Sequence, residues 1–533
     1  MVLIQTIDAD TLVTLSRDRQ PRISSTQSSH KIKAYGDRYN TDPIPKYTLS
    51  EQGVSSDAAY NLIKDELNLD GSTILNLASF VNTWIPPQAD ELVQQNANKN
   101  LIDTDEYPST HILHSRCVSI IASMWNSPSA KNTIGTATTG SSEAIQLGGL
   151  AMKRVWQAKR KAAGKSIHEP GPNIVMGANA QVALEKFARY FEVECRLVPV
   201  DESTCYRMDA ARAMEYVDEN TIGIYVILGS TYSGHYEPVD ELAKLLDEYE
   251  AKTGISVPIH VDAASGGFLA PFLQPELVWD FRIPRVVSIN TSGHKFGLSY
   301  VGVGWVVWRD KSYLPKDLIF ELHYLGSVQY TFSLNFSRPA APIIVQYFNF
   351  LHLGREGYRV VALQDQQNAR LLSRALENTG YFMVVSDIHR RRGVHSGHGI
   401  DSPDIKDYEP GLPVVAFRFT DEFKKAHPDI QQSWIQTLLR AKGWIVPNYQ
   451  LPPNMDNVEI LRVVVRINFT ENMVEMLLGD IVSVVQKLLS SETPLHALAT
   501  LGNVHTNQRP EFKFTAFDQA EVTTGGVTYA RPC

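Results

Sequence analysis

Between residues 173 and 289, short apolar runs of strand length (173–176, 196–200, 222–228, 257–261 and 286–289) alternate with longer helix-favouring stretches (181–191, 209–217 and 239–253). Strands joined through helices cannot close as hairpins, so they pair in parallel. Their near-continuous apolar character then demands helices on both faces. The pattern predicts an α/β fold with a mostly parallel central sheet covered on both sides. A chain of 533 residues, 43% of them hydrophobic, has enough apolar side chain for that core and for a second domain. An amphipathic helix is expected over 57–67. A long helix over 341–378 leads to a smaller C-terminal α+β domain, with strands at 412–419, 444–445 and 460–465 and helices near 430–442 and 471–488. The domain division that follows is an N-terminal arm and helix (1–74), a large domain (75–345), a linking helix with the small domain (346–500) and a flexible tail (501–533).

Within this frame Lys295 lies in Ser292-Gly-His-Lys-Phe-Gly297, a turn between the apolar run at 286–290 and a second one at 301–308. A buried strand end fixes the reach of a lysine and desolvation lowers its pKa, which suits Schiff-base chemistry. By itself the motif reads more readily as a surface turn. Upstream, the strand 257–261 ends on Asp262 in His260-Val-Asp-Ala-Ala-Ser-Gly-Gly-Phe268, which brings a carboxylate to the crevice where α/β folds bind ligands. An Asp that only caps its turn is an equal reading of this motif alone. Pyridoxal phosphate needs both groups: a lysine for its aldehyde and a carboxylate to keep its ring nitrogen protonated.

A third segment, Thr138-Thr-Gly-Ser-Ser-Glu-Ala144, opens a helix. The first backbone N–H groups of a helix lack partners and its dipole is positive there, so Ser141 and Ser142 are candidate phosphate ligands, with ordinary capping as the alternative. Gly148 and Gly149 inside this helix cost about 1 kcal/mol each relative to Ala, which points to close packing against a strand or a cofactor.

These motifs, together with Asn98-Lys-Asn100, Asp105-Glu-Tyr-Pro108, Lys186-Phe-Ala-Arg-Tyr190 and Asn335-Phe-Ser-Arg-Pro339, resemble glutamate decarboxylases of the plant, fungal and bacterial type over residues 67–489. The resemblance implies pyridoxal phosphate fold type I and α-decarboxylation of L-glutamate to 4-aminobutanoate, a carboxy-lyase reaction. By position it implies that Gln181 stacks on the cofactor ring, that Ser292 and His294 help bind the phosphate, that Thr231 lies near the cofactor, and that Ser337 reaches the phosphate of a neighbouring subunit. It further assigns the substrate α-carboxylate to Arg466, and the distal carboxylate to Ser79 and Phe80 with the segment around Asp103 of a partner chain. Strand alternation would place Arg462 and Arg466 on one face. Relatives usually carry a Cys-Trp-like pair after the stacking Gln, where this chain has Ala183-Leu184, so the cofactor face is expected to be more open.

In the expected reaction Lys295 holds the cofactor and is displaced by the amino acid, Asp262 keeps the ring protonated as CO2 leaves, and Lys295, His294 or a loop donor returns the proton. One methylene of substrate length is worth only about 1–3 kcal/mol, so aspartate and cysteine sulfinate remain alternative substrates. A non-decarboxylating enzyme of the same fold and a cofactor-binding regulator without turnover would carry the same lysine and aspartate.

The net charge of −8 argues against a nucleic-acid partner. No run approaches 18 apolar residues and the first residues lack a basic start, so neither a membrane span nor export is expected and the setting is cytoplasmic. Cys117, Cys195, Cys205 and Cys533 form no ligand-like spacing, so no metal is expected. His389, His395 and His398 fall in a Gly/Ser-rich stretch with Asp401 and Asp404 and read as a mobile surface loop. Shared active sites imply a homodimer or a higher homo-oligomer. Plant relatives bind calmodulin through their tails, but the tail here lacks a basic amphipathic helix, so calmodulin is not an expected partner.

Overall fold

A computed structural model describes residues 47–51, 53–130, 133–322, 329–393 and 402–490. The tail, most of the N-terminal arm, His395, His398 and Cys533 lie outside the described residues. The chain divides into two compact units, 1–72 and 73–533. In the first, helix α1 (Ser56–Leu67) starts where Ser55 accepts the Ala58 N–H, and it leaves Tyr60, Ile63 and Leu67 exposed along one stripe.

The second unit begins with α2 (Pro87–Asn96) and α3 (Pro108–Met124), each with proline in its first turn, where the missing N–H costs nothing. Then follow β1 (Ile134–Thr138), α4 (Ser141–Ala162), β2 (Asn173–Gly177), α5 (Val182–Tyr190), β3 (Glu194–Val198), α6 (Ala210–Met214), β4 (Thr221–Ile227), α7 (Val239–Thr253), β5 (Ile259–Asp262), α8 (Ala270–Leu273), β6 (Val286–Ser292) and β7 (Gly304–Trp308). The sheet order is β1-β7-β6-β5-β4-β2-β3. Strands β2 to β6 pair in parallel, and β7 runs antiparallel to both β1 and β6. Apolar side chains of α3 and α7 cover one face and those of α4 and α5 the other, which agrees with the expected doubly covered α/β sheet.

Both glycines of α4 are explained by approach to the sheet. A Cβ at Gly148 would lie 2.5 Å from the His260 imidazole, and one at Gly149 would lie 2.2 Å from the Tyr225 hydroxyl.

After a short hairpin, β8 (Phe320–Leu322) with β9 (Gln329–Thr331), the chain enters α9 (Ala341–Asn378). This segment is two helices rather than one: Gly354 sits at φ 58°, a left-handed conformation that glycine adopts without steric cost. The second sheet has the order β10-β11-β13-β12, from β10 (Phe382–Val384), β11 (Val414–Phe419), β12 (Asn448–Gln450) and β13 (Glu459–Val464). Helix α10 (Asp421–Ala426) follows β11, and α11 (Ser433–Ala441) and α12 (Glu471–Ser490) pack on this sheet with the end of α9. The strand expected at 444–445 is only a bridge from Ile445 to Asn76, and pairing resumes after Pro447, which has no N–H to give. His389, expected in a surface loop, is fully buried, with Nε2 3.2 Å from Glu377.

Candidate active site

Strands β4, β5 and β6 end side by side, so Ile227, Asp262 and Ser292 open onto one cavity of about 290 Å³, and Lys295 lies in the turn after β6. This is the carboxyl edge of the parallel strands, where such sheets bind ligands. Lys295 Nζ donates to Ser265 Oγ at 3.2 Å and stands 5.1 Å from the centre of the Phe80 ring. Burial drops Lys295 to about 8, opposed by Asp262 and reinforced by the Arg462 charge. An amine in that range is a usable nucleophile near neutral pH.

Asp262 is buried, and burial raises its pKa against the Asn290 amide, the Lys295 charge and the Ala264 N–H. Both donors fall on one oxygen: Asn290 Nδ2 at 2.9 Å and Ala264 N at 3.1 Å reach Oδ1.

At the other side of the cavity α4 begins. Ser141 Oγ lies 2.7 Å from Ser292 Oγ, and Ser142 lines the same wall, exposed. Neither serine caps the helix, because the N-cap position is Gly140 and makes no side-chain bond. Glu143 reaches back instead: Oε2 accepts the N–H and hydroxyl of Thr139, and Oε1 accepts the N–H groups of Leu334 and Asn335. A Cβ at Gly304 would fall 2.5 Å from the Gly140 backbone, so β7 carries glycine where the helix start crosses it. His294 also lines the cavity, and burial followed by the Lys295 charge drops it to about 4. Its Nδ1 is buried without a hydrogen-bond partner among the described residues.

Gln181 and Thr231 complete the lining. Gln181 is the N-cap of α5, its Oε1 accepting the Ala183 N–H at 2.6 Å, and Ala183 lines the cavity beside it.

The cavity fits pyridoxal phosphate. An amine and a carboxylate share it with a helix start bearing two serines, and the buried His294 Nδ1 has no hydrogen-bond partner among the described residues.

Four expected residues are elsewhere in the chain. Arg466 is not brought to Lys295, against the substrate role that the resemblance assigned to it. Strand β13 ends at Val464, so its period of two does not extend to 466. The buried Arg466 guanidinium donates to the carbonyls of Val81 and Asn76, each at 2.6 Å, and lines a separate cavity of about 550 Å³. Ser79 lines that second cavity too, while its neighbour Phe80 faces Lys295. Ser337 and Asp103 gather around Asn100, whose Nδ2 donates to Ser337 Oγ and whose carbonyl accepts the Asp103 N–H.

The arginine that does approach is Arg462, with its guanidinium 5.1 Å from the same Phe80 ring and Nη1 donating to the Thr231 carbonyl at 2.6 Å. Ser265 and Asn290 join the site without having stood out in the sequence. Asn290 carried a signal, since a buried strand that alternates Ser288 and Asn290 with apolar residues is aiming two polar groups at one face.

Among the described residues no group of three or more His, Cys, Asp or Glu is arranged to hold a metal, and no helix is long and apolar enough to cross a membrane.

Known proteins resemble this chain over most of its length. Residues 48–392 match the pyridoxal-dependent decarboxylase conserved domain. The chain is 47% identical to glutamate decarboxylase 1 of Arabidopsis thaliana over 456 residues, 85% of each protein. It is 46% identical to glutamate decarboxylase of Saccharomyces cerevisiae over 505 residues, 90% of this chain and 85% of that one. The structure of Lactobacillus brevis glutamate decarboxylase superposes with a TM-score of 0.78 at 39% identity, over 85% of this chain and 97% of the other. A lysine and an aspartate at the carboxyl edge of a parallel sheet thus sit in a chain that belongs to the pyridoxal-dependent decarboxylases, within the glutamate decarboxylase family.

Proposed function

We propose that this cavity carries out the α-decarboxylation of L-glutamate to 4-aminobutanoate, with Lys295 as the cofactor lysine and Asp262 as the partner of the ring nitrogen. When bound, pyridoxal phosphate supplies the electron sink for the pair released as CO2 departs. Ser141, Ser142, Ser292 and His294 are assigned to its phosphate, and Gln181 and Thr231 to its ring. Ser337 is assigned to the phosphate in a neighbouring subunit.

Arg462 replaces Arg466 as the residue proposed for the substrate α-carboxylate. It shares the Phe80 ring with Lys295, and its charge is one of the influences that lower the lysine. A planar guanidinium suits a carboxylate and fixes its orientation. Phe80, with Ser79 and a partner's segment around Asp103, is proposed for the distal carboxylate. After CO2 leaves, Lys295, held against Ser265, is placed to return a proton to the α-carbon. His294 is the less suited donor, because burial leaves it neutral.

The observation that carries this reading is the pairing of a buried amine lowered to about 8 with a buried carboxylate in one cavity. Release of CO2 from glutamate, aspartate and cysteine sulfinate, measured for wild type and Lys295→Ala, tests it. Glutamate is expected to be the preferred substrate and the variant inactive. Equal activity in the variant, or keto-acid formation in place of CO2, refutes the reading. A cytoplasmic homo-oligomer without calmodulin control is the proposed setting. Sedimentation of the pure protein and assay with calcium and calmodulin test it, and activation would overturn the last point.

A further inference from the structure

Below Asp262 the buried strands β5 and β6 each carry a pair of polar residues two positions apart, His260 with Asp262 and, among the polar residues of β6, Ser288 with Asn290. Four polar side chains inside a covered parallel sheet are costly unless they satisfy one another. The strand register lets them do so: His260 lies opposite Ser288 and Asp262 opposite Asn290. An irregularity creates this register, because Ile259 pairs with Val286 and the next residue, His260, pairs with Ser288, passing over Val287. Without that extra residue His260 would face Val287, and Asp262 would face Ile289. Bulges of this kind re-aim side chains beside active sites.

The four groups form one hydrogen-bonded line. Ser288 Oγ is 2.7 Å from His260 Nδ1, His260 Nε2 is 2.7 Å from Asn290 Oδ1, and Asn290 Nδ2 is 2.9 Å from Asp262 Oδ1. Chemistry gives the line a direction. A carboxylate only accepts, so Asn290 must turn its NH2 toward Asp262 and its carbonyl toward the imidazole. That carbonyl only accepts, so His260 must carry its proton on Nε2. Its Nδ1 then accepts the Ser288 hydroxyl proton. The imidazole is neutral, because burial drops it to about 4 against the Asn290 bond. It is also walled in by Gly148 of α4 and by the Tyr225 ring, 5.1 Å away and edge-on. Reversing the line would require a protonated Asp262 that donates to Asn290, and a His260 protonated on Nδ1. The tautomer of His260 therefore reports that Oδ1 of Asp262, the oxygen facing Asn290, carries no proton.

We propose that Ser288, His260 and Asn290 are positioning residues that hold Asp262 as a carboxylate and fix its rotation, through a one-way hydrogen-bond chain locked by the Nε2–H tautomer of His260. The proposal rests on the reading of Asp262 as the partner of the cofactor ring nitrogen. Each donor in the chain polarises the next toward Asp262 and offsets the burial that raises it. The chain occupies Oδ1, so the rotation of the carboxylate is set from below the cavity.

Two measurements test the proposal. Nitrogen-15 spectra of the imidazoles in the cofactor-free wild type, with His260 assigned by His260→Gln, should show a neutral Nε2–H ring at neutral pH. An Nδ1–H ring or an imidazolium overturns the proposal. In the holoenzyme, His260→Leu should lower kcat for glutamate by about tenfold with KM changed by less than about twofold. It should also move the pH midpoint of the bound cofactor's visible absorbance by about half a unit or more. In His260→Gln the amide N–H stands in for Nε2–H, so most of kcat and the wild-type midpoint should be kept. An unmoved midpoint in the Leu variant, or equal losses in both variants, would reduce His260 to packing. The wild-type spectrum decides the question even if His260→Leu does not fold. Wild-type glutamate turnover with the wrong tautomer sinks the relay alone. Absence of amino-acid turnover sinks the functional reading and leaves the tautomer result standing.

Discussion

Two cavities lie at opposite edges of the same sheet. The larger, about 670 Å³, is at the amino edge of the parallel strands, lined by Trp156, Lys165, Thr221, Arg285 and Trp308 among others. Most of its charges are paired with one another: Arg285 holds Asp247 and Glu250, and Lys165 meets Glu219 at 3.0 Å. The smaller, at the carboxyl edge, keeps its charges apart. Lys295 is pushed to about 8, His294 to about 4, and Asp262 is raised, all chiefly by burial. Volume does not mark the proposed reactive site here. What marks it is charged groups held buried without close ion-pair neutralisation, an arrangement that is costly for stability and useful for chemistry.

The sharpest way to break that contrast is to remove one lysine from each edge. Lys295→Ala should lower CO2 release from glutamate by about 10³-fold or more. Lys165→Ala should leave it unchanged. If Asp262 has the proposed role, Asp262→Asn removes the charge assigned to a ring nitrogen and should cost about 10²-fold in kcat at little change in KM. Activity near wild type there would mean that Asp262 is merely structural.

The two arginines sharpen the comparison further. Arg462→Leu should raise KM for glutamate by about tenfold or more, as expected for losing bonds to a charged group. Arg466→Leu should instead destabilise the fold by about 2 kcal/mol, through the carbonyls of Val81 and Asn76 that it leaves unpaired. Kinetic and melting data that exchange these outcomes would return the substrate role to Arg466.

A smaller effect is a pH signature of Lys295 in the cofactor-free protein. Its pKa falls on folding from 10.5 to about 8, so between those values the unfolded chain holds more proton and stability climbs with pH. Lys295→Met should therefore show its largest stability gain below pH 8, fading as the pH approaches 10.5. A constant difference in denaturant midpoint across that window would contradict the burial of a titrating amine. Smallest of all, Lys165→Ala should change stability by less than about 1 kcal/mol, since its ion pair is half exposed.

How much of this was legible depended on whether the signal was local. The parallel sheet and its helices follow from apolar periodicity, and α7 and α9 fall at the expected residues, because burial on one face writes a pattern into consecutive positions. Lys295, Asp262 and the serines of α4 were readable for the same reason, each in a short motif at a strand or helix end. The kink at Gly354 was not read, since an isolated glycine within a helical pattern is tolerated as often as it breaks one. Arg462 and Arg466 could not be separated by counting, because alternation holds only while the strand continues and nothing local announced that β13 stops at Val464.

Residue order alone therefore carries the class of fold, the lysine and carboxylate proposed for the site, and the resemblance to a family. Tertiary structure decided which arginine faces Lys295 and which residues stand behind Asp262. Both depend on where one strand ends and on one residue passed over in the register of another, and neither is a property of any single segment.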